Sequence, residues 1–595
     1  MAHERVQKPM PRSPDSDKHL SALYFIVILQ LLILSQLYLQ AFVIQEKDGF
    51  LWTSREETPD GSDLGGHLAV LSLLTGSAFT YRFGYNNSIA GGFLSLPSWV
   101  ETFPALDTVH TKGATKDHNS TLQVRSSASL NHVPITDSRP EQGTVVAMYT
   151  LGCLFGCLSC IWLGDKLGRK RTIIFGALIN TIGAALQSSS YSLPQLIVGR
   201  LVSGYGFGHI TATAPNWQAE CSGAAHRGAA VMLEGLFISF GLVIGGWTNL
   251  GMSFHHGSVT FRFPMALSGV LSLIIMLTTP LLPESPRWLT KKGRVDRARE
   301  VLADLTDTDA NSVEVREAIR EIETSLALAG EAKLKDIFTN GPLRLLHRMC
   351  LACAAQCFQQ MSGINALAFY QAKIFEDYLG QTPRAAKIIA ASVFTWQTIC
   401  SPIGVLTVDR FGRRKLMMVS SLGMGVCMAV VAGGSSQPGN TASVGVAAAF
   451  IFLFSLFFPT GSLGLTFLYA AEISPLSHRV PITAMSTATA WLFNFVVAEI
   501  TPIGLATLKY RYYIIYAAIN ICLTFPSVYF FFPETSGRHL EEVDGIFLDS
   551  RNIFETVSIA RQSRVVGYRR STENGREEKE EVAQMEKGIP APQDR

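Results

Sequence analysis

Carboxamides are the side chains of this 595-residue chain best placed for chemistry. Gln359, Gln360 and Asn365 fall within seven residues, in QQMSGIN (359–365). A carboxamide both donates and accepts, so three close together match a solute whose surface is a ring of hydroxyl groups. Gln359 and Asn365 lie about 240° apart around a helix, and Gly363 between them permits local unwinding. The competing use is as polar glue between helices, at roughly 1 kcal/mol each. Three carboxamides in seven residues exceed what packing requires. No Ser/His/Asp, paired-acid or metal constellation stands beside them, so neither an enzyme nor a cofactor is expected. Cys153, Cys157 and Cys160 share a helical face and read as packing residues, not as disulfides or a zinc site.

The elements that must hold this cluster are apolar. The chain is 48% hydrophobic and 16% charged, against roughly 25% charged in soluble proteins. Uncharged runs recur at 20–45, 172–197, 263–283, 416–446 and 512–532, each near or above the roughly 20 residues of a membrane-crossing helix. They do not alternate with period two, and backbone groups in lipid must be satisfied within the segment, so helices are the available solution. The net charge of +3 has both signs scattered and leaves no basic surface for nucleic acid.

Polar punctuation between the helices repeats. GDKLGRKR (164–171) returns as VDRFGRRK (408–415), AECSGAAHR (219–227) as AEISPLSHR (471–479), and PESPRWL (283–289) as PETSGRH (533–539). The offsets, Asp165 to Asp409, Glu220 to Glu472 and Glu284 to Glu534, are 244, 252 and 250 residues. The halves are therefore duplicated, and matching loops share a membrane side only if each half has an even helix count, which predicts six plus six. Positive charge in the short loops puts them in the cytoplasm. The expected divisions are an N-terminal region 1–66, a first bundle 67–289, a cytoplasmic linker of amphipathic helices 290–346, a second bundle 347–538 and a cytoplasmic tail 539–595. The 20–45 run is surplus to this count and is assigned no function. Asn119, in Asn-Ser-Thr on the polar stretch between the first two core helices, is a glycosylation acceptor if that loop faces outward.

GDKLGRKR (164–171), GRLVSGYGFG (199–208), PESPRWL (283–289), QQMSGIN (359–365), DRFGRRK (409–415), Tyr469 with AEISP (471–475), WLFNF (491–495) and PETSGR (533–538) together resemble the sugar porters of the major facilitator superfamily, in the style of fungal hexose or disaccharide members. The resemblance covers roughly residues 66–547. It implies an all-α major facilitator fold of two six-helix bundles related by a pseudo-two-fold, rocking around a central site near the bilayer midplane. It further implies sugar ligands at Gln359, Gln360 and Asn365, at Gln397 on the eighth helix and at Asn494 on the eleventh, with Trp491 and Phe467 as aromatic walls. Phe467 stands where a Trp is common, Ala490 replaces a frequent Asn, and Gly235 occupies the position of a usual Gln on the fifth helix, preceded by Glu234.

Asn86 stands where proton-coupled relatives carry an Asp that faces the fourth-helix Arg, here Arg200. A carboxamide does not titrate, so facilitated diffusion of a monosaccharide is expected, with proton symport as the alternative. Glu234 and Glu499 lie within apolar runs; each is a candidate to replace the missing acid in a symporter, the alternative being helix pairing, for Glu234 with Arg200. Asp165 and Arg169, and Asp409 and Arg413, are spaced four apart. By resemblance they join Glu220, Arg227, Glu284, Arg287, Glu472 and Arg479 in a cytoplasmic gating network. The partners expected are a small sugar and the bilayer, for a monomer in the plasma membrane. A non-transporting sugar sensor shares these motifs, and the 48 residues after Phe547 are short for one.

Overall fold

The computed structural model describes residues 83–89, 97–103, 141–222 and 227–562, with breaks at 256, 307, 330–333, 342, 379, 438–439 and 539–541. Asn119, the 20–45 run and the end of the tail lie outside the described residues. The described chain is helical, without a strand, and eight of its helices are long and apolar enough to cross a membrane. After a helical stretch at 83–89 come α1 (Pro97–Thr102), α2 (Glu141–Leu167), α3 (Arg169–Ser188), α4 (Leu193–Cys221), α5 (Arg227–Met252) and α6 (Val259–Thr278). The connector follows as α7 (Pro286–Lys291), α8 (Val295–Thr306) and α9 (Val313–Ala329). The second series is α10 (Leu345–Gln360), α11 (Ile364–Lys373), α12 (Pro383–Phe411), α13 (Arg413–Ser435), α14 (Thr441–Gly461), α15 (Leu465–Ile473), α16 (Arg479–Leu508), α17 (Arg511–Ala518) and α18 (Phe525–Phe531), with α19 (Glu542–Asp549) after it.

Two long helices, α3 and α4, fall outside the set of eight. On α4 the reason is chemical: Arg200, His209, Asn216 and Glu220 are all buried against neighbouring helices rather than turned to lipid. That burial is possible because α2 and α4 approach through glycine. Gly152 and Gly156 on α2 meet Gly204 and Gly208 on α4, one small-xxx-small stripe against another. A Cβ on Gly204 would overlap the Tyr149 carbonyl oxygen, and one on Gly208 the Cys153 carbonyl oxygen.

Helices α8 and α9 pack against each other through their apolar faces. The helix expected over 291–305 runs Val295–Thr306, and Ala298, Val301 and Leu305 pack with Ile319 of α9 against Trp288 and Leu289. Beyond the last crossing, α19 is held by a buried guanidinium. Arg348 donates to the Asp544 carboxylate and to the Ile473 carbonyl at 3.2 Å, and lies 4.1 Å from the Phe547 ring centroid.

Two breaks interrupt the second series. The chain leaves helical geometry at 361–363, between α10 and α11, with Gly363 at φ +100°, and again at 462–464, between α14 and α15. Each break frees backbone carbonyls that lipid cannot satisfy. Side chains do so: Asn520 Nδ2 reaches the Ser362 oxygen at 2.9 Å, and Gln359 Nε2 reaches those of Ser462 and Leu463 at 3.1 and 2.9 Å.

Gly204→Leu is expected to abolish a monodisperse folded peak in size-exclusion chromatography of the solubilised protein, because overpacking here displaces backbone rather than a flexible side chain. Gly433→Ala, where a Cβ meets nothing within 4 Å, is the control expected to leave the peak intact. Equal behaviour of the two variants would refute the close approach.

Candidate functional site

The repeated strings build one structure twice. In the first series Arg169 forks onto Glu220, Nε to Oε2 at 2.9 Å and Nη2 to Oε1 at 2.8 Å, and its Nη1 reaches Asp165 at 3.3 Å. In the second, Arg413 forks onto Glu472 at 3.0 and 2.7 Å, with Asp409 at 2.8 Å. A hydroxyl completes each carboxylate: Ser285 Oγ donates to Glu220 and Thr535 Oγ1 to Glu472, both at 2.6 Å. A bidentate guanidinium plus a hydroxyl is the arrangement that lets a charge be buried, because it meets the lone pairs as well as the charge.

A second carboxylate in each cluster caps a helix. Glu284 accepts from the backbone N–H of Arg169 at 3.1 Å and of Lys170 at 3.3 Å, at the N-terminus of α3. Glu534 accepts from Arg413 N at 2.9 Å and Arg414 N at 3.2 Å, at the N-terminus of α13. Free N–H groups and the helix dipole both favour an anion there. The approach needs glycine before each helix. Gly168 and Gly412 have φ of +88° and +90°, and a Cβ on either would press into the capping carboxylate. Burial pushes the Glu284 carboxyl up from its ordinary range, against the amide donors and the Arg169 charge that pull it down.

Contacts between the series join these clusters. Arg479 Nη1 reaches Glu220 at 3.3 Å, the Ala229 N–H donates to Asp409 at 2.8 Å, and Lys291 Nζ bridges Asp165 at 2.7 Å and the Ser477 carbonyl at 3.0 Å. Arg287 donates to the Glu220 backbone carbonyl at 2.8 Å. The side chain of Arg227 is outside those described. Farther along the same helices Asn216 meets Thr483 at 2.6 Å and Trp491 Nε1 meets Thr211 at 3.2 Å.

The carboxamides converge as well. Gln360 accepts from Asn365 at 2.5 Å and from Asn494 at 3.2 Å, and donates to Gln359 at 3.1 Å, while Asn494 also reaches Asn365 at 3.3 Å. Asn494 keeps its Oδ1 buried and without a partner. Gln359 spends its amide on the 462–463 carbonyls, so its donors serve the helix break. Gln397 is separate from the cluster and donates to Ser239 of α5 at 3.3 Å.

A small cavity lies between the two series, and of the expected ligand residues Phe467 lines it, whereas Gln359, Gln360, Asn365, Gln397, Trp491 and Asn494 do not. Phe83, Thr211, Pro215 and Glu234 bound it from the first series, Gly464 and Phe467 from the second. Trp491 stands behind Phe83, ring centroids 5.3 Å apart. Asn86 donates to the Tyr149 hydroxyl at 2.9 Å, and Arg200 is buried on α4. Glu234 makes no ion pair with Arg200, and neither Asn86 nor Glu499 is among the residues that line the cavity. Ser285 and Thr535 are site residues that motif reading passed over. Their signal was the third residue of PES and PET, recurring at the same 250-residue offset as the acids.

A model of the family described as sugar (and other) transporters matches residues 72–547. The chain is 34% identical over 508 residues to the major facilitator superfamily transporter mfsA of Aspergillus fumigatus, covering 84% of this chain and 88% of that one. It is 35% identical over 415 residues to the sugar transporter STL1 of Saccharomyces cerevisiae, covering 68% and 72%. Among solved structures it is similar to the proton:xylose symporter XylE of E. coli, with a TM-score of 0.69 at 21% identity, covering 81% of this chain and 100% of that one. At that identity the likeness speaks for the fold.

Glu220→Gln and Glu472→Gln are each expected to lower the melting temperature of the solubilised protein. Removing one partner of a buried, hydrogen-bonded pair costs about 3–5 kcal/mol. An unchanged midpoint in both variants would show that the guanidiniums find other partners at no cost.

Proposed function

This chain belongs to the sugar (and other) transporter family, and we propose that it carries a small polyhydroxylated solute, a hexose foremost, across the plasma membrane by alternating access. The observation that carries this reading is a cavity bounded by both sequence repeats, together with a converging cluster of the Gln360, Asn365 and Asn494 amides and duplicated charge clusters joined across the repeats. On this reading the two series are six-helix bundles related by a pseudo-two-fold, and 290–346 is their cytoplasmic connector. The carrier works as a monomer.

The charge clusters are the cytoplasmic gate. While Glu220 is shared between Arg169 of its own bundle and Arg479 of the other, and Asp409 between Arg413 and the Ala229 N–H, the basic-loop ends of the bundles are held together. Breaking these contacts frees the bundles to part on that side, while the clusters within each bundle stay intact. Gln360, Asn365 and Asn494 meet the cargo from the second bundle, exchanging bonds among themselves for bonds to its hydroxyls. Asn86 takes no proton, so movement is downhill, as in a facilitator.

In a cell lacking its own sugar carriers, Asp409→Asn is expected to slow uptake of radiolabelled glucose several-fold while leaving the order in which other sugars compete unchanged. An unaltered rate would refute the gate. Asn494→Ala is expected to raise the uptake KM about 5–10-fold, the loss of one or two neutral hydrogen bonds. A protonophore is expected to leave the wild-type rate unchanged, and cargo-dependent alkalinisation of the medium would refute downhill movement.

A further inference from the structure

Glu234 is the unresolved residue of the cavity. It lies on α5 with 4% of its surface exposed, and its Oε1 is buried without a hydrogen-bond partner. Among the described residues it takes part in no salt bridge or hydrogen bond. A buried carboxyl oxygen left unmet is costly, and an ionisable group inside the membrane is a mark of function. The other walls do not answer it. Phe83, Pro215 and Phe467 have apolar side chains, and Gly464 has none. The Thr211 hydroxyl is already used, accepting from Trp491 and lying 3.2 Å from the Gly208 carbonyl. Among the residues lining the cavity, Glu234 is therefore the one side chain with an unfilled hydrogen-bonding position.

The neighbouring residue explains why the polar group is at 234. A Cβ on Gly235 would stand 3.0 Å from the Gly464 backbone nitrogen and 3.3 Å from its Cα, and one on Gly464 would stand 3.2 Å from the Met232 Cα. Two backbones meet here across the repeats, and a carboxamide at 235 would force them apart. One step back along α5, about 100° around the axis, the side chain enters the cavity instead.

We propose that Glu234 is the specificity-determining residue of the cavity: its carboxyl accepts a hydrogen bond from one hydroxyl of the solute, while the Phe83 and Phe467 rings line the space taken by the solute's C–H surface. This rests on the transport reading above and adds to it a single dominant donor on the cargo. The solute class is a small polyol or sugar with one hydroxyl whose removal is penalised far more than that of the others. A bound solute hydroxyl would supply the donor that the cavity's own side chains do not offer to Oε1.

The test uses the full chain in a cell lacking sugar carriers, with glucose, its single-deoxy derivatives, sorbitol and glycerol as competing solutes. Glu234→Ala is expected to raise the KM of the best-transported solute about 3–10-fold with a much smaller change in maximal rate, as for one lost neutral hydrogen bond. In the wild type, removing one particular hydroxyl from the solute is expected to weaken competition by a similar factor. In Glu234→Ala that removal should make no further difference, the non-additivity that identifies two groups as partners. Glu234→Gln, nearly isosteric, is expected to fall between them and to melt no lower than the wild type when purified without cargo, because it removes an unmet buried acid. An unchanged KM and an unchanged order of deoxy competitors in Glu234→Ala would overturn the assignment. If wild type neither transports nor is protected from heat by any of these solutes, the transport reading itself fails. Uptake with an unaltered competition order sinks the Glu234 proposal alone.

Discussion

A carboxylate surrounded by protein and lipid persists only if its charge and its lone pairs are both met, and Glu220 and Glu472 show how much of this molecule is organised to do so. Each needs a guanidinium in fork geometry and a hydroxyl. The guanidinium sits at the start of one helix, the acid at the end of another, and the hydroxyl on the segment after the last crossing of its series. Three parts of the chain must therefore arrive at one point. The capping acids Glu284 and Glu534 tie the same segments to the N-termini of α3 and α13. The cost of an unmet charge sets the register of every helix that contributes.

That constraint also makes the contacts between the series informative. Glu220 is already satisfied by Arg169 and Ser285, so Arg479 is an additional partner at a longer 3.3 Å. Asp409 likewise serves Arg413 and, across the repeats, a backbone N–H. If the Arg479 contact opens, Glu220 keeps Arg169, and if the Ala229 contact opens, Asp409 keeps Arg413.

Inside the bilayer the currency is backbone. The glycine stripes of α2 and α4 let buried polar residues lie between helices rather than in lipid. The breaks at 361–363 and 462–464 then release carbonyls that must be met locally. Gln359 meets two of them, so a residue that resembles a ligand also holds the break next to the cavity open. Gly464, part of that break, is where the α5 backbone comes closest, and the cavity lies against this crossing.

Much of this was legible in residues 164–171, 219–227 and 283–289 and their copies, because charged strings in apolar surroundings are few and recur at nearly one offset. The duplication follows from that alone, helix class from the apolar runs, the closeness of Gln360 and Asn365 from their five-residue spacing, and the wider charge network from the family resemblance. What the chain order does not contain is which faces meet. Gln397 and Gln359 belong by motif to one ligand set, yet one bonds to α5 and the other to a helix break. Asn86 carried the weight of the coupling argument by position, whereas the cavity is lined by Glu234, which has no salt bridge to Arg200 despite their shared burial. The physical reason is distance: a one-residue step on α5 separates a glycine pressed on Gly464 from an acid facing open space, and only the packing of helices more than two hundred residues apart decides which of the two has room.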